Sequence, residues 1–130
     1  MYTEELEKLK IIAQKIQDFI EEDFEDTDAN ILVARLTNIN VYLAISGKAL
    51  ADAKEIQDKQ AKIIFAEELK SISKMPATIA SKFITSQNVD ANYVVNWLDR
   101  INRSLVHIGD NTRTQISFAK EELRLTKNGY

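Results

Sequence analysis

A chain of 130 residues, 45% hydrophobic and 28% charged, has the size and composition of one soluble domain that needs neither metal nor disulfide to hold a core. It has no cysteine and only one histidine, which excludes a disulfide scaffold and a zinc module, and no apolar run approaches the roughly 18 residues required to cross a bilayer. The net charge of −3 is uneven: residues 1–69 hold 8 Lys/Arg against 15 Asp/Glu, and residues 70–130 hold 9 against 5. Such asymmetry marks either a polyanion-binding second half or two halves that attract each other within or between subunits. One proline, Pro76, and three glycines, Gly47, Gly109 and Gly129, suit a few long helices and argue against a β-rich fold, which needs repeated turn residues. The acidic start, Met1-Tyr-Thr-Glu-Glu, lacks the apolar stretch of a secretory signal, so a cytoplasmic protein, of a cell or of something infecting one, is expected.

The first predicted helix covers about residues 4–23. Thr3 is placed to cap it, and Glu4 and Glu5 complement its N-terminal dipole. Leu6, Leu9, Ala13, Ile16 and Ile20 recur at spacings of three and four, with Ile12 and Phe19 widening the stripe. The acids of residues 21–28 end that helix, and Thr27 or Asp28 can cap the next.

A second helix is predicted from 29 to 74. Leu32, Leu36, Ile39, Leu43 and Leu50 form one stripe, and Ile31, Ala34, Val41, Ile45 and Ala49 form another. A helix apolar on two sides needs neighbours on both. Leu32, Leu36, Ile39, Val41, Leu43 and Ile45 are therefore the expected core of a homo-oligomer. The polar stretch from Ala51 to Gln60 is expected to project from the bundle, and Gly47 to mark a kink or close helix contact. Pro76 fits the first turn of a short helix over 77–86, and Asp90 fits the cap of a last segment over 91–126. In that segment Val94, Leu98, Ile101, Leu105 and Ile108 form a seam, flanked by Tyr93 and Trp97. Gly109-Asp-Asn111, followed by the capping-box spacing of Thr112 and Gln115, leaves open whether one helix or two occupies it. The whole reads as an elongated all-α bundle of long antiparallel helices in a single domain.

No glycine-rich phosphate loop, nucleophile elbow or metal-binding loop is present, and neither a cofactor, a metal nor a small-molecule substrate is expected. Arg113, Lys120, Arg124 and Lys127 recur at spacings that place them on one side of a helix, with Glu121 and Glu122 expected to point away. Such a row can follow a phosphate backbone. The same cations would also complement the helix C-terminal dipole or meet the acids of residues 21–28. Tyr93 and Trp97 can stack on bases or pack in the core.

Tyr93, Trp97-Leu98-Asp99, Leu105, Ile108, Ile116 and Arg124 in a polar tail resemble the C-terminal region of UvsY-type phage recombination mediators. The order of elements is similar as well: a short acidic helix, a very long one, a spacer and a terminal helical region. The resemblance implies a non-enzymatic helical protein forming a ring-like oligomer that binds single-stranded DNA, contacts the single-strand-binding protein and helps load a recombinase. The acidic net charge departs from what a general strand binder needs. A purely structural helical subunit of a virion or other assembly is the alternative. A third reading rests on Arg100 and His107, whose spacing is similar to the Arg–His pair of HEPN-type ribonucleases, where the pair would bind phosphate and act as general base.

Overall fold

The computed structural model describes residues 1–127, so Gly129 lies outside it. Its described residues form five helices and no strand: α1 (Thr3–Glu21), α2 (Ala29–Glu67), α3 (Leu69–Ile72), α4 (Ala77–Gln87) and α5 (Val89–Lys127). None is long and apolar enough to cross a membrane. The fold is all-α, built on the packed antiparallel pair α2 and α5.

Register along this pair is fixed by polar links as well as by apolar contact. Gln57 Nε2 donates to Asn92 Oδ1 at 2.8 Å and Asn102 Nδ2 to Ser46 Oγ at 3.0 Å, while Leu32 packs with Ile116 and Ala119 at the far end. Helix α1 lies along both long helices, antiparallel to α2 and parallel to α5. Phe19 meets Tyr42 with ring centroids 4.6 Å apart, and Trp97 Nε1 donates to Gln17 Oε1 at 3.1 Å. The α1 seam of Leu6, Leu9, Ala13 and Ile16 joins Ile39, Ala49, Ala53 and Ile56 of α2 and Val94, Leu98, Ile101 and Leu105 of α5 in one core.

Several local features refine or overturn the sequence-based expectations. Tyr2, rather than Thr3, is the N-cap of α1, and it supplies its carbonyl alone, to Leu6 N at 2.9 Å. Of the two expected caps of α2 it is Asp28 that serves, its carboxylate accepting from Asn30 N at 2.8 Å and Ile31 N at 3.3 Å. Helix α2 stops at Glu67 and does not run unbroken to Lys74, because Glu68 leaves helical geometry before the single turn of α3. Pro76 stands just before α4 with extended ψ. The stretch from Ala51 to Gln60 does not project: Ala53, Ile56 and Gln60 are buried, a narrow stripe at spacings of three and four that α1 and α5 cover. Helix α2 continues without a break through Gly47, where an added Cβ would meet nothing nearer than Asn102 Nδ2 at 3.9 Å.

The last segment is one helix. Gly109 is buried inside it, and Thr112 is mid-helix, its Oγ1 donating back to Ile108 O at 2.8 Å. Asp90 lies in the first turn of α5 and not at its cap. The turn into α5 is held instead by Asn88, which donates to Gln57 O at 2.9 Å, and by Asn92, which donates to Thr85 O at 2.9 Å. Asn88 Oδ1 is buried with no hydrogen-bond partner among the described residues, a position suited to an internal water.

Candidate nucleic-acid interface

The register of the long pair decides what the end of α5 looks like. Leu32, in the first turn of α2, packs against Ile116 and Ala119, so α2 begins opposite the turn around Ala119. Residues 120–127 continue beyond it, every one exposed, over about 12 Å at 1.5 Å per residue. At 100° per residue, Arg113, Lys120, Arg124 and Lys127 fall within about 60° of one another on one flank of α5.

This flank is partly neutralised from within its own helix. Arg113 Nη1 lies 3.2 Å from Asp110 Oδ1, and Arg124 grips Glu121 through Nε at 3.1 Å and Nη2 at 2.6 Å. Glu121 therefore does not point away from the cationic row, because a spacing of three brings it alongside Arg124. The Arg124 guanidinium holds the Glu121 carboxyl below the usual carboxylate range, and that carboxylate raises Arg124 in turn. Lys120 and Lys127 have no ion-pair partner among the described residues, and no cation of this flank pairs with an acid of residues 21–28. Among the described residues, Arg35 with Glu22 at 4.0 Å is the one ion pair that is not between residues three or four apart on a helix.

A second polar facet lies higher on α5, where Asn96, Asp99, Arg100, Arg103, Ser104 and His107 line a shallow groove formed by that helix alone. Arg100 and His107 share this face about 10 Å apart along the axis, with Arg103 between them bonded to Asp99 at 3.1 Å. Trp97 is half-buried and its indole N–H is engaged by Gln17, while Tyr93 is exposed and tilts against it at 5.8 Å. The indole is thus a link between α1 and α5 and is not a free stacking platform. No cluster of three or more His, Asp or Glu side chains among the described residues is arranged to hold a metal ion.

The six residues expected to build an intersubunit core divide in two. Leu32 and Ile39 are buried within the chain, and Leu36 and Leu43 are half-buried against its own clusters. Their stripe faces α5 and the start of the chain's own core, so they are not available to a neighbour. Val41 and Ile45 remain 53% and 41% exposed, on the other stripe of α2. There they line a cleft with Ile31, Ala34 and Arg35 that sequence reasoning did not isolate. The Arg35 guanidinium carbon lies 4.3 Å from the centroid of Phe19 and 4.2 Å from that of Phe24. Its two aromatic neighbours come from the end of α1 and the following loop. No short-range pattern announces such a sandwich.

Comparison with protein-family models, curated proteins and solved structures returned no match.

Proposed function

We propose that this chain is a non-enzymatic assembly protein that engages single-stranded DNA and its binding proteins in the cytoplasm, as its resemblance to UvsY-type mediators implies. The observation that carries this reading is the last two turns of α5, a fully exposed helical end bearing Lys120, Arg124 and Lys127 beyond the first turn of α2. Lys120 and Lys127 provide the phosphate contacts in this reading. Arg113 and Arg124 join them only by exchanging Asp110 and Glu121 for phosphate.

The test is fluorescence anisotropy with a labelled single-stranded oligonucleotide across a salt series. Binding is expected at low salt and to weaken as salt rises, with a log–log slope of about −0.7 per phosphate engaged. The double change Lys120→Glu with Arg124→Glu is expected to abolish it while leaving helicity intact. Absence of binding at low salt favours the purely structural subunit, a reading supported by the exposed Phe118, Leu123, Phe65 and Leu69 at the two ends of the long pair. RNA cleavage that disappears in His107→Ala instead favours the ribonuclease.

A further inference from the structure

Among the described residues, Arg35 is the one cation whose side chain is mostly buried and yet makes no hydrogen bond. Its side chain is only 9% exposed, pressed between Phe19 and Phe24. Aromatic faces satisfy its charge in part, but they do not accept its in-plane N–H groups, which radiate from the guanidinium edge. The nearest carboxylate oxygen, on Glu22, stands off at 4.0 Å, beyond hydrogen-bond distance. No hydrogen bond from Arg35 forms among the described residues. None of its nitrogens is sealed from solvent, since Asn88 Oδ1 is the one fully buried side-chain polar atom without a partner among the described residues, so its N–H groups stay open to an incoming acceptor.

The space beside it is an open cleft with an aliphatic wall. Arg35 lines a cleft of about 510 Å³ whose long wall is Ile31, Ala34, Val41 and Ile45, with Lys15 at its edge. From Ile31 to Ile45 this wall runs about 21 Å along α2, the length of a four-turn helix. Helix α1 covers the lower part of the same side of α2, where Phe19 meets Tyr42. Charge in the cleft also runs against its surroundings: Lys15 and Arg35 face one acid, Glu22, inside a half of the chain with 8 cations and 15 acids.

We infer that this cleft is a docking site for an acidic amphipathic helix of another protein, with aliphatic side chains on the α2 wall and a carboxylate on Arg35. An aliphatic wall next to a planar two-pronged donor matches aliphatic and carboxylate groups together; a sugar-phosphate chain has no aliphatic side chains to lay on it. A second copy of this chain fits poorly. The apolar face of α1 is already buried, and the helices with spare aliphatic side chains are α2 itself, whose only charged residue between Ala29 and Gly47 is Arg35, α4, which carries Lys82 and no acid, and the end of α5, which carries Lys120, Arg124 and Lys127. Each would set a cation against Lys15 and Arg35.

The test uses the full chain with methyl-labelled isoleucine and valine, and a 14-residue helical peptide carrying Leu at i, i+4 and i+7 with flanking Glu. The Ile31, Val41 and Ile45 methyl resonances are expected to shift on titration, whereas the oligonucleotide test above concerns α5 only. The same peptide with Gln for Glu is expected to bind about tenfold more weakly, as is the parent peptide to Arg35→Lys. Val41→Glu, at an exposed position, is expected to remove binding without changing helicity, which covers the case in which Arg35 variants fold poorly. Equal binding of the Gln peptide, or no methyl shift at millimolar acidic peptide, overturns the inference. So does a concentration-dependent methyl shift in the absence of peptide, which would place a second copy in the cleft.

Discussion

Glu121 and Arg124 govern how much positive charge the end of α5 can offer. Their double hydrogen bond lies on an exposed helix surface, where such pairs add little to stability, so its main effect is on what Arg124 can reach. Because pairing lowers the Glu121 pKa, the interaction is complete above the ordinary carboxylate range and is lost as pH falls through the lowered value. Glu121→Gln is expected to free Arg124 at neutral pH and strengthen oligonucleotide binding a few fold at low salt, whereas Glu122→Gln changes charge without releasing a guanidinium. Equal gains in anisotropy titrations of the two variants would show that only net charge matters. The spacing of three between Glu121 and Arg124 made this pair legible in the sequence. Arg35 was not legible in the same way. Its rings come from positions 16 and 11 residues earlier, and only the folding back of residues 22–28 brings them to it.

At the scale of elements, the helices were readable because their apolar residues recur at three and four, a period that only one backbone conformation turns into a continuous face. Leu6 to Ile16 and Val94 to Leu105 emerged as seams of one core for that reason. The local punctuation was harder to read. Gly109, Asp110 and Asn111 carry the residue types of a break, yet they lie inside α5, because a helix packed along α2 for most of its length gains more from burial than three poor helix formers cost. Neither helical glycine is required by close approach. A Cβ at Gly109 would come no nearer than 3.6 Å, to Ile39 Cγ2 and Arg113 Nη1, and one at Gly47 no nearer than 3.9 Å, both ordinary contacts. Gly47→Ala and Gly109→Ala are each expected to stabilise the fold by about 1 kcal/mol, raising the melting temperature by about 4 °C in calorimetry. A lowered temperature for Gly109→Ala would mean that the α2–α5 spacing there cannot absorb a methyl group.

On the scale of the whole molecule, the two 39-residue helices are staggered. Helix α4 is packed near the late part of α2, while the last eight residues of α5 are all exposed, with only Asp26 and Thr27 of the loop before α2 sharing a small cleft with Phe118 and Glu122. Phe118 is 69% exposed and Leu123 61%, a costly arrangement unless the overhang associates. Association there would also set the cationic flanks of several copies side by side and raise their avidity for one strand. Light scattering is expected to give the mass of two or more chains, and Phe118→Glu with Leu123→Glu to reduce it to a single chain. Val41→Glu is expected to leave it unchanged. A lone chain at every concentration would remove the oligomer from the proposed function. The proposed division between a surface for copies and a cleft for a foreign helix could not be drawn from the sequence. Both stripes of α2 look alike on a helical wheel, and only the position of α5 shows which is spent on the chain's own interior.

The hydrogen bond from Trp97 to Gln17 gives the protein an intrinsic optical probe. Its single indole reports on the contact between the first and last helices. Emission should redden when α1 peels away and stay constant while the overhang of α5 captures a strand, so one spectrum separates loss of architecture from occupancy without any label.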